Sequence, residues 1–512
     1  MNSEEFRELG KQTIDYIANY IDTIRDRSVL PDVKPGYLHK LLPTEMPSTP
    51  DHWTQILPDV EQIIMPGVTH WHSPKFNAFY PTGSSYPSII GEMLSAAIGC
   101  IGFSWITSPV CTELEVITLD WMAKAIGLPE YFLNSSDGPG GGIIQGSASE
   151  ATLVALLVAK EKTVSQIKSL HPEWSESHIK GKLVAYASDQ SNSSVEKSSL
   201  HASMKIRLLP SDINGSLRGD TLLQAINQDL KEGLIPSCVI ATLGTTGTCA
   251  FDDLEEIGKV CKDKDVWLHV DAAYAGSACI CPEYRFMLKG IHYVDSFDIN
   301  PHKWLLVNFD CSTMWFRDTT ALVNGFSVDR IYLKHEREKQ NKYAPDYRHW
   351  QIPLGRRFRA LKLWICMRLF GLSGLQSHIR NQCSLAKYFE SLVGSDPLFE
   401  VVRPATLGLV CFRAKGEDSF NKKLLERLTK DRQIYMVAAQ VDGKYVLRYA
   451  VCSRLTIASD VESAWKCISE TARLLINQEE IHSNELYLET RPSLNDKLTI
   501  SPKEDQVNII GT

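Results

Sequence analysis

Between about residues 86 and 380, short β-branched runs alternate with longer apolar helical stretches, and this alternation restricts the fold more than any other feature of the chain. The runs fall at residues 183–186, 238–243 and 266–270, and the clearest helical stretch is at 151–158. Asp252-Asp253-Leu254-Glu255 reads as a capping-box start between two of the runs. Strand, helix, strand at this spacing predicts an α/β fold, a mainly parallel sheet wrapped by helices. Residues 1–85 read as helices joined by proline-rich turns with little core of their own. Phe6, Leu9, Ile14, Ile17, Ile21 and Ile24 form one apolar stripe there, and such a stripe needs another surface to cover it. Residues 381–478 change grammar to a small α+β domain. A strand is expected at 401–412, a hairpin turn at Asp442-Gly443 and a last helix at 459–476. Residues 479–512 are polar and aperiodic, and order is not expected of them.

Bulk properties exclude several classes. The net charge of -7, without a basic stripe, argues against nucleic acid as a partner. Thirteen cysteines without a CxxC pair argue against zinc or any other metal, and favour a reducing, cytoplasmic compartment. The first 24 residues carry five acidic side chains and no apolar h-region, so a signal peptide is not expected. No segment reads as a membrane span.

The chemistry gathers around three places. Lys303 lies in Asn300-Pro301-His302-Lys303-Trp304, and Asp271 closes the run at 266–270. Upstream come Gly140-Gly141-Gly142 and a helix start at Ser147-Ala148-Ser149. The glycines fit neither phosphate fingerprint. No GK[ST] follows Gly146, and Ile143 stands where a dinucleotide loop needs its third glycine. A reactive amine, a strand-end carboxylate and a helix N-terminus are together the parts that hold pyridoxal phosphate. The amine forms a Schiff base, the carboxylate keeps the pyridine nitrogen protonated, and amides with hydroxyls take the phosphate. Thr246, after the run at 238–243, is expected at the same sheet edge.

These motifs, with Phe103-Ser104-Trp105, Asn308-Phe309-Asp310-Cys311 and Asp346-Tyr347-Arg348-His349-Trp350, resemble the group II pyridoxal-phosphate amino-acid decarboxylases. The likeness is to the aromatic L-amino-acid branch and runs to about residue 475. It implies a fold-type I homodimer with N-terminal, large and small C-terminal domains. It implies Lys303 as the Schiff-base lysine and Asp271 as partner of the pyridine nitrogen. It sets Ser147, Ala148, Ser149, Asn300 and His302 near the phosphate and Thr246 near the ring. Trp71, Phe79, Tyr80, Thr82 and Gly355 are implied in substrate binding, with Ile101 and Phe103 reaching into the partner subunit's pocket. Tyr332 matches a loop tyrosine that donates a proton to the substrate carbanion, on a polar stretch expected to act as a lid.

One departure stands out. Asn192 occupies the place where aromatic decarboxylases carry a histidine that stacks on the cofactor and helps protonate the product carbon, and Phe79-Tyr80 inverts the usual Tyr-Phe order. The triplet resembles insect 3,4-dihydroxyphenylacetaldehyde synthases, which decarboxylate and oxidatively deaminate L-DOPA with O₂. A carboxamide cannot relay a proton as an imidazole does. The expectation is therefore an acetaldehyde synthase. An ordinary decarboxylase making dopamine and a non-catalytic scaffold keeping the fold are the alternatives.

Overall fold

The computed structural model describes residues 1–328 and 343–489. Its centre is a seven-stranded sheet of β1 (Gly141–Gln145), β2 (Leu183–Ser188), β3 (Lys205–Leu209), β4 (Ile235–Thr242), β5 (Trp267–Asp271), β6 (Ser296–Ile299) and β7 (Ser312–Phe316). The spatial order is β1-β7-β6-β5-β4-β2-β3. Only β7 runs against its neighbours, Ser312 pairing with Gln145 and Ser296 with Phe316. The central strands β2, β4 and β5 are almost wholly buried, which is why they read as continuous apolar runs. Helices Pro109–Ile126 and Ala148–Leu170 both pack on this sheet.

A second sheet joins β8 (Phe399–Thr406), β9 (Leu409–Ala414), β10 (Val437–Val441) and β11 (Lys444–Ala450) in the order β10-β11-β9-β8, all antiparallel. The single strand expected at 401–412 is thus two, folded at Leu407, whose φ is +53°. The Asp442-Gly443 turn closes β10 on β11 with both residues at positive φ, the requirement of a tight hairpin. The Arg359–Gly394 helix links the two sheets, so the switch of grammar near residue 380 falls inside a helix rather than in a linker. It bends at Gly371, which sits at φ +64°. The last helix, Ala458–Glu489, runs past its expected end at residue 476 and into the stretch read as a polar tail. Residues 490–512 lie outside the described residues.

One local reading needs correction. Asp253, not Asp252, caps its helix, accepting from the Glu256 amide at 3.0 Å. The Glu256 carboxylate turns to Arg218 and the Gly219 amide, so the reciprocal half of the box is missing. The triple glycine, which fits neither phosphate fingerprint, has its place in the sheet. Gly141 and Gly142 open β1, and a Cβ on Gly142 would lie 2.6 Å from the Trp315 ring. Gly140 approaches the Tyr131 carbonyl even more closely. These glycines are needed for packing.

The Ser3–Asp22 helix has a complete capping box at Asn2 and Glu5 but buries no residue, and Phe6 and Ile14 are exposed. Further along, residues 73–80 are bound to the small sheet. The Asn77 amide donates to the Tyr435 carbonyl at 2.8 Å and its side chain donates to Ala450 at 3.0 Å. Among the described residues, no helix is long and apolar enough to cross a membrane.

Candidate active site

Parallel strands deliver their C-terminal ends to one edge, and the segments that leave β1, β2, β4, β5 and β6 there enclose a cavity of about 200 Å³. Its walls include Ser147, Ala148 and Ser149 after β1, Asn192 after β2 and Thr246 after β4. Asp271 at the end of β5, and Asn300, His302 and Lys303 after β6, complete them. Every residue assigned to the cofactor from sequence therefore faces one space.

Each position has a local cause. Ser147 caps the Ala148–Leu170 helix, accepting from the Glu150 amide at 3.2 Å. The first-turn amides of Ala148 and Ser149 have no intrahelical partner and carry the positive end of the helix dipole. Lys303 sits in the single-turn helix Pro301–Trp304. Burial pushes its amine below the ordinary lysine range, while Asp271 and Asp298 pull the other way. Asp271 accepts from the Ala273 amide at 3.0 Å, which fixes one oxygen and leaves the other for a ligand. His302 accepts at Nδ1 from the Cys311 amide at 2.9 Å, so Nε2 carries the ring hydrogen. Burial and the adjacent Lys303 push its pKa down to about 3, which makes His302 a neutral donor.

Asn192 is both cap and wall. Its Oδ1 accepts from the Ser194 amide at 2.9 Å, capping the Ser193–His201 helix, and its Nδ2 donates to Thr246 Oγ1 at 2.9 Å. Tyr80 closes one end of the cavity. It stacks on Tyr274 with centroids 3.7 Å apart, Tyr274 stacks in turn on Trp304 at 4.5 Å, and the Tyr80 hydroxyl donates to the Thr245 carbonyl at 2.8 Å.

The neighbouring Phe79 points elsewhere. Its backbone lies at φ +58°, a region an aromatic residue rarely adopts. Arg448 holds its carbonyl at 3.1 Å, and its ring stacks on Trp71 outside the cavity, 43% exposed. This twist turns adjacent side chains to opposite sides. Thr82 is half-buried in the following extended segment and is not part of the cavity wall. Ile101 and Gly355 are also elsewhere. They meet in a separate groove of about 260 Å³, where a Cβ on Gly355 would lie 3.8 Å from Ile101. Arg356 anchors Gly355 through the buried Glu115 at 2.6 and 3.0 Å. Phe103, half-buried, follows Ile101. Tyr332 lies outside the described residues, as does most of the stretch expected to form a lid.

Sequence reasoning missed Ser194, Thr242, Gly244, Ala273 and Tyr274, which also line the cavity. Each stands within four residues of one that was singled out. Gly244 combines φ +89° with a Cβ position only 2.7 Å from Ala275, so no other residue fits there.

Beneath Asp271, its register partner Asp298 is fully buried. His269 Nε2 lies 3.3 Å from Asp298, yet among the described residues neither carboxylate oxygen has a well-aligned hydrogen bond. Burial and the Asp271 charge push the Asp298 pKa up to about 6, with His269 and Lys303 opposing. A carboxyl raised on folding stabilises the fold most below its unfolded value of about 4, and the benefit is lost as pH rises through about 6. Asp298→Asn is therefore expected to stabilise the chain more at about pH 8 than at about pH 5, by on the order of 1–1.5 kcal/mol. Thermal melts of both proteins at the two pH values check this. An equal effect at both would contradict it.

A desolvated lysine amine, a strand-end carboxylate and a helix N-terminus around one cavity define a pyridoxal-phosphate enzyme of fold type I. The donor set fits the cofactor. Buried Asn300 Oδ1 and Thr242 Oγ1 have no partner within the described protein, and both residues line the cavity. Residues 35–415 match the model of the pyridoxal-dependent decarboxylase conserved domain. A 3,4-dihydroxyphenylacetaldehyde synthase of Drosophila melanogaster is 56% identical, covering 91% of each chain. An aromatic-L-amino-acid decarboxylase of Manduca sexta is 54% identical, covering 93% of each. The crystal structure of Oryza sativa TDC with PLP and tryptamine superposes with a TM-score of 0.88 at 38% identity, covering 93% of this chain and 99% of that one. The chain belongs to the pyridoxal-dependent decarboxylase family, and its cofactor is pyridoxal 5′-phosphate.

Proposed function

We propose that the protein acts on L-DOPA by decarboxylation and oxidative deamination. One L-DOPA, one O₂ and one water would give 3,4-dihydroxyphenylacetaldehyde, CO₂, NH₃ and H₂O₂. An aromatic amino acid as substrate rests on the relatives that share about half of the sequence. Those relatives divide between amine-forming and aldehyde-forming enzymes at nearly equal identity. The choice between the two outcomes therefore rests on the site.

The observation that carries the aldehyde reading is Asn192. Pyridoxal phosphate, when bound, supplies the electron sink for the charge left as CO₂ departs. Around it, this chain offers little that returns a proton near neutrality. The Asn192 amide is engaged at both ends and neither gives nor takes one. The imidazole and the two phenols of the cavity are no better suited. His302 is held neutral by its low pKa, and burial pushes the Tyr80 and Tyr274 hydroxyls far above neutrality. Without a general acid on this wall, protonation of the product carbon slows by about 10²–10⁴-fold. The carbon is then open to O₂. Tyr332 is the donor that would sustain residual amine. Trp71, Phe79 and Thr82 would contact substrate from the open side.

Turnover of L-DOPA under air, with CO₂, H₂O₂, aldehyde and amine measured together, tests the reading. Dopamine without peroxide would leave the plain decarboxylase, the alternative that the Manduca sexta relative favours. Asn192→His is expected to move product from aldehyde toward amine and to lower H₂O₂ per CO₂. The change also exchanges the Thr246 bond and a helix cap worth about 0.5–2 kcal/mol, so a lower melting point should accompany it. An unchanged product ratio in a folded variant would remove Asn192 from the argument.

The active assembly is proposed to be a homodimer. Ile101 and Phe103 stand away from the cavity of their own chain, and the Ser3–Asp22 helix leaves Phe6 and Ile14 of its apolar stripe exposed. Sedimentation of active enzyme should give a dimer, and a fully active monomer would refute this.

A further inference from the structure

Cys100 and Cys111 flank the segment that carries Ile101 and Phe103, and their sulfurs are 3.1 Å apart. The chain is built to bring them together. Gly99 ends the Tyr86–Ile98 helix at φ +67° and hands the chain to a half-buried Cys100. Cys111 is buried in the first turn of the Pro109–Ile126 helix. Between them, a Cβ on Gly102 would lie only 2.4 Å from Cys111 Cβ, so glycine is what lets the segment fold back on the helix. Cys100 and Ile101 both line the groove shared with Gly355.

We propose that Cys100 and Cys111 are an oxidisable thiol pair, a modification site at which hydrogen peroxide closes a disulfide across the segment carrying Ile101 and Phe103. The two sulfurs have different parts. Cys100 is the more accessible and meets the oxidant first. Burial pushes the Cys111 thiol up to about 12 and keeps it protonated, so it is not the sulfur that meets the oxidant first; its part follows from its place 3.1 Å from Cys100. The Cys100 sulfur attacks one peroxide oxygen, the O–O bond breaks, water leaves and Cys100 becomes a sulfenic acid. The Cys111 sulfur then attacks the Cys100 sulfur. The S–O bond breaks, an S–S bond forms, and the hydroxyl leaves as a second water with the Cys111 proton. Two thiols and one peroxide give one disulfide and two waters. Closing to a bond of about 2.05 Å needs a movement of roughly 1 Å. The product is a covalent restraint on the segment that carries Ile101 and Phe103.

The inference stands apart from the acetaldehyde-synthase reading, because the peroxide in its test is added from outside. Full-length holoenzyme is treated with hydrogen peroxide, alkylated without reduction and cut with chymotrypsin at Phe103 and Trp105. The expected product is a joined pair of peptides, lighter than their sum by two hydrogens and absent from Cys100→Ser. Separate peptides, with Cys100 alkylated or over-oxidised, would overturn the assignment, as would a joined species that survives in Cys100→Ser. Linkage should change KM for the aromatic substrate several-fold, reversed by dithiothreitol, whereas Cys100→Ser should keep its own untreated KM. Full linkage without any change in KM would show that the segment is not restrained. The half-exposed Cys100 makes its serine variant the safer one to fold, so the test does not depend on altering buried Cys111.

Discussion

Lys303→Ala is expected to leave a folded protein that turns over no substrate. The loss should be on the order of 10⁴-fold or more, because an acid–base group and the nucleophile go together. Among the described residues, no other lysine lines the cavity. The fold should survive, because the change removes a desolvated amine from a short helix whose neighbours, Pro301, His302 and Trp304, are already buried. The check is twofold. Absorbance should show loss of the cofactor band that depends on the lysine, and CO₂ release should fall to background. Repeated turnover at the parent rate would remove Lys303 from its assigned role.

Asp271→Asn has the second largest expected effect, and its signature differs. Pyridoxal phosphate should still bind, since the helix N-terminus and Lys303 are untouched. kcat should fall by roughly 10–100-fold, the equivalent of about 1.5–3 kcal/mol for one charged hydrogen bond. An amide cannot hold a proton on a ring nitrogen as a carboxylate does. The variant should also relieve Asp298, whose raised pKa owes part of its shift to the Asp271 charge. Cofactor content by absorbance, measured beside kcat, separates lost binding from lost chemistry. Full activity with full occupancy would mean that another group serves the ring.

Most of the cavity was legible because its residues sit where strands end, and strand ends are what hydrophobic periodicity locates best. Lys303, Asp271, Thr246 and Asn192 each follow an apolar run or open a helix. The parallel order of the sheet then brings them together. What stayed hidden depended on distances between elements far apart in sequence. Nothing in Gly140-Gly141-Gly142 reveals that Tyr131 and Trp315 press on it, so the packing need for these glycines shows only in the structure. Phe79 and Tyr80 look like one aromatic pair until a positive φ turns them apart. The strand at 401–412 concealed a fold at Leu407, because alternation carries through a tight turn between paired strands. The double use of Asn192, as helix cap and as partner of Thr246, also needed coordinates, since a capping asparagine looks the same whether or not its other end is engaged.

The stretch from Ser73 to Tyr80 has a bearing on how such enzymes can be recombined. It is hydrogen-bonded to the small sheet at Asn77, yet Tyr80 at its end closes the cavity of the large one. Arg448 on β11 holds the Phe79 carbonyl from the small-sheet side and the Gly247 carbonyl at 2.9 Å from the large-sheet side. A cut between domains that follows the chain would sever partners that are neighbours only in space. A chimera taking its C-terminal half from a relative should therefore inherit residues 73–80 from the same parent. Without them, the aromatic wall would be hung on a foreign frame.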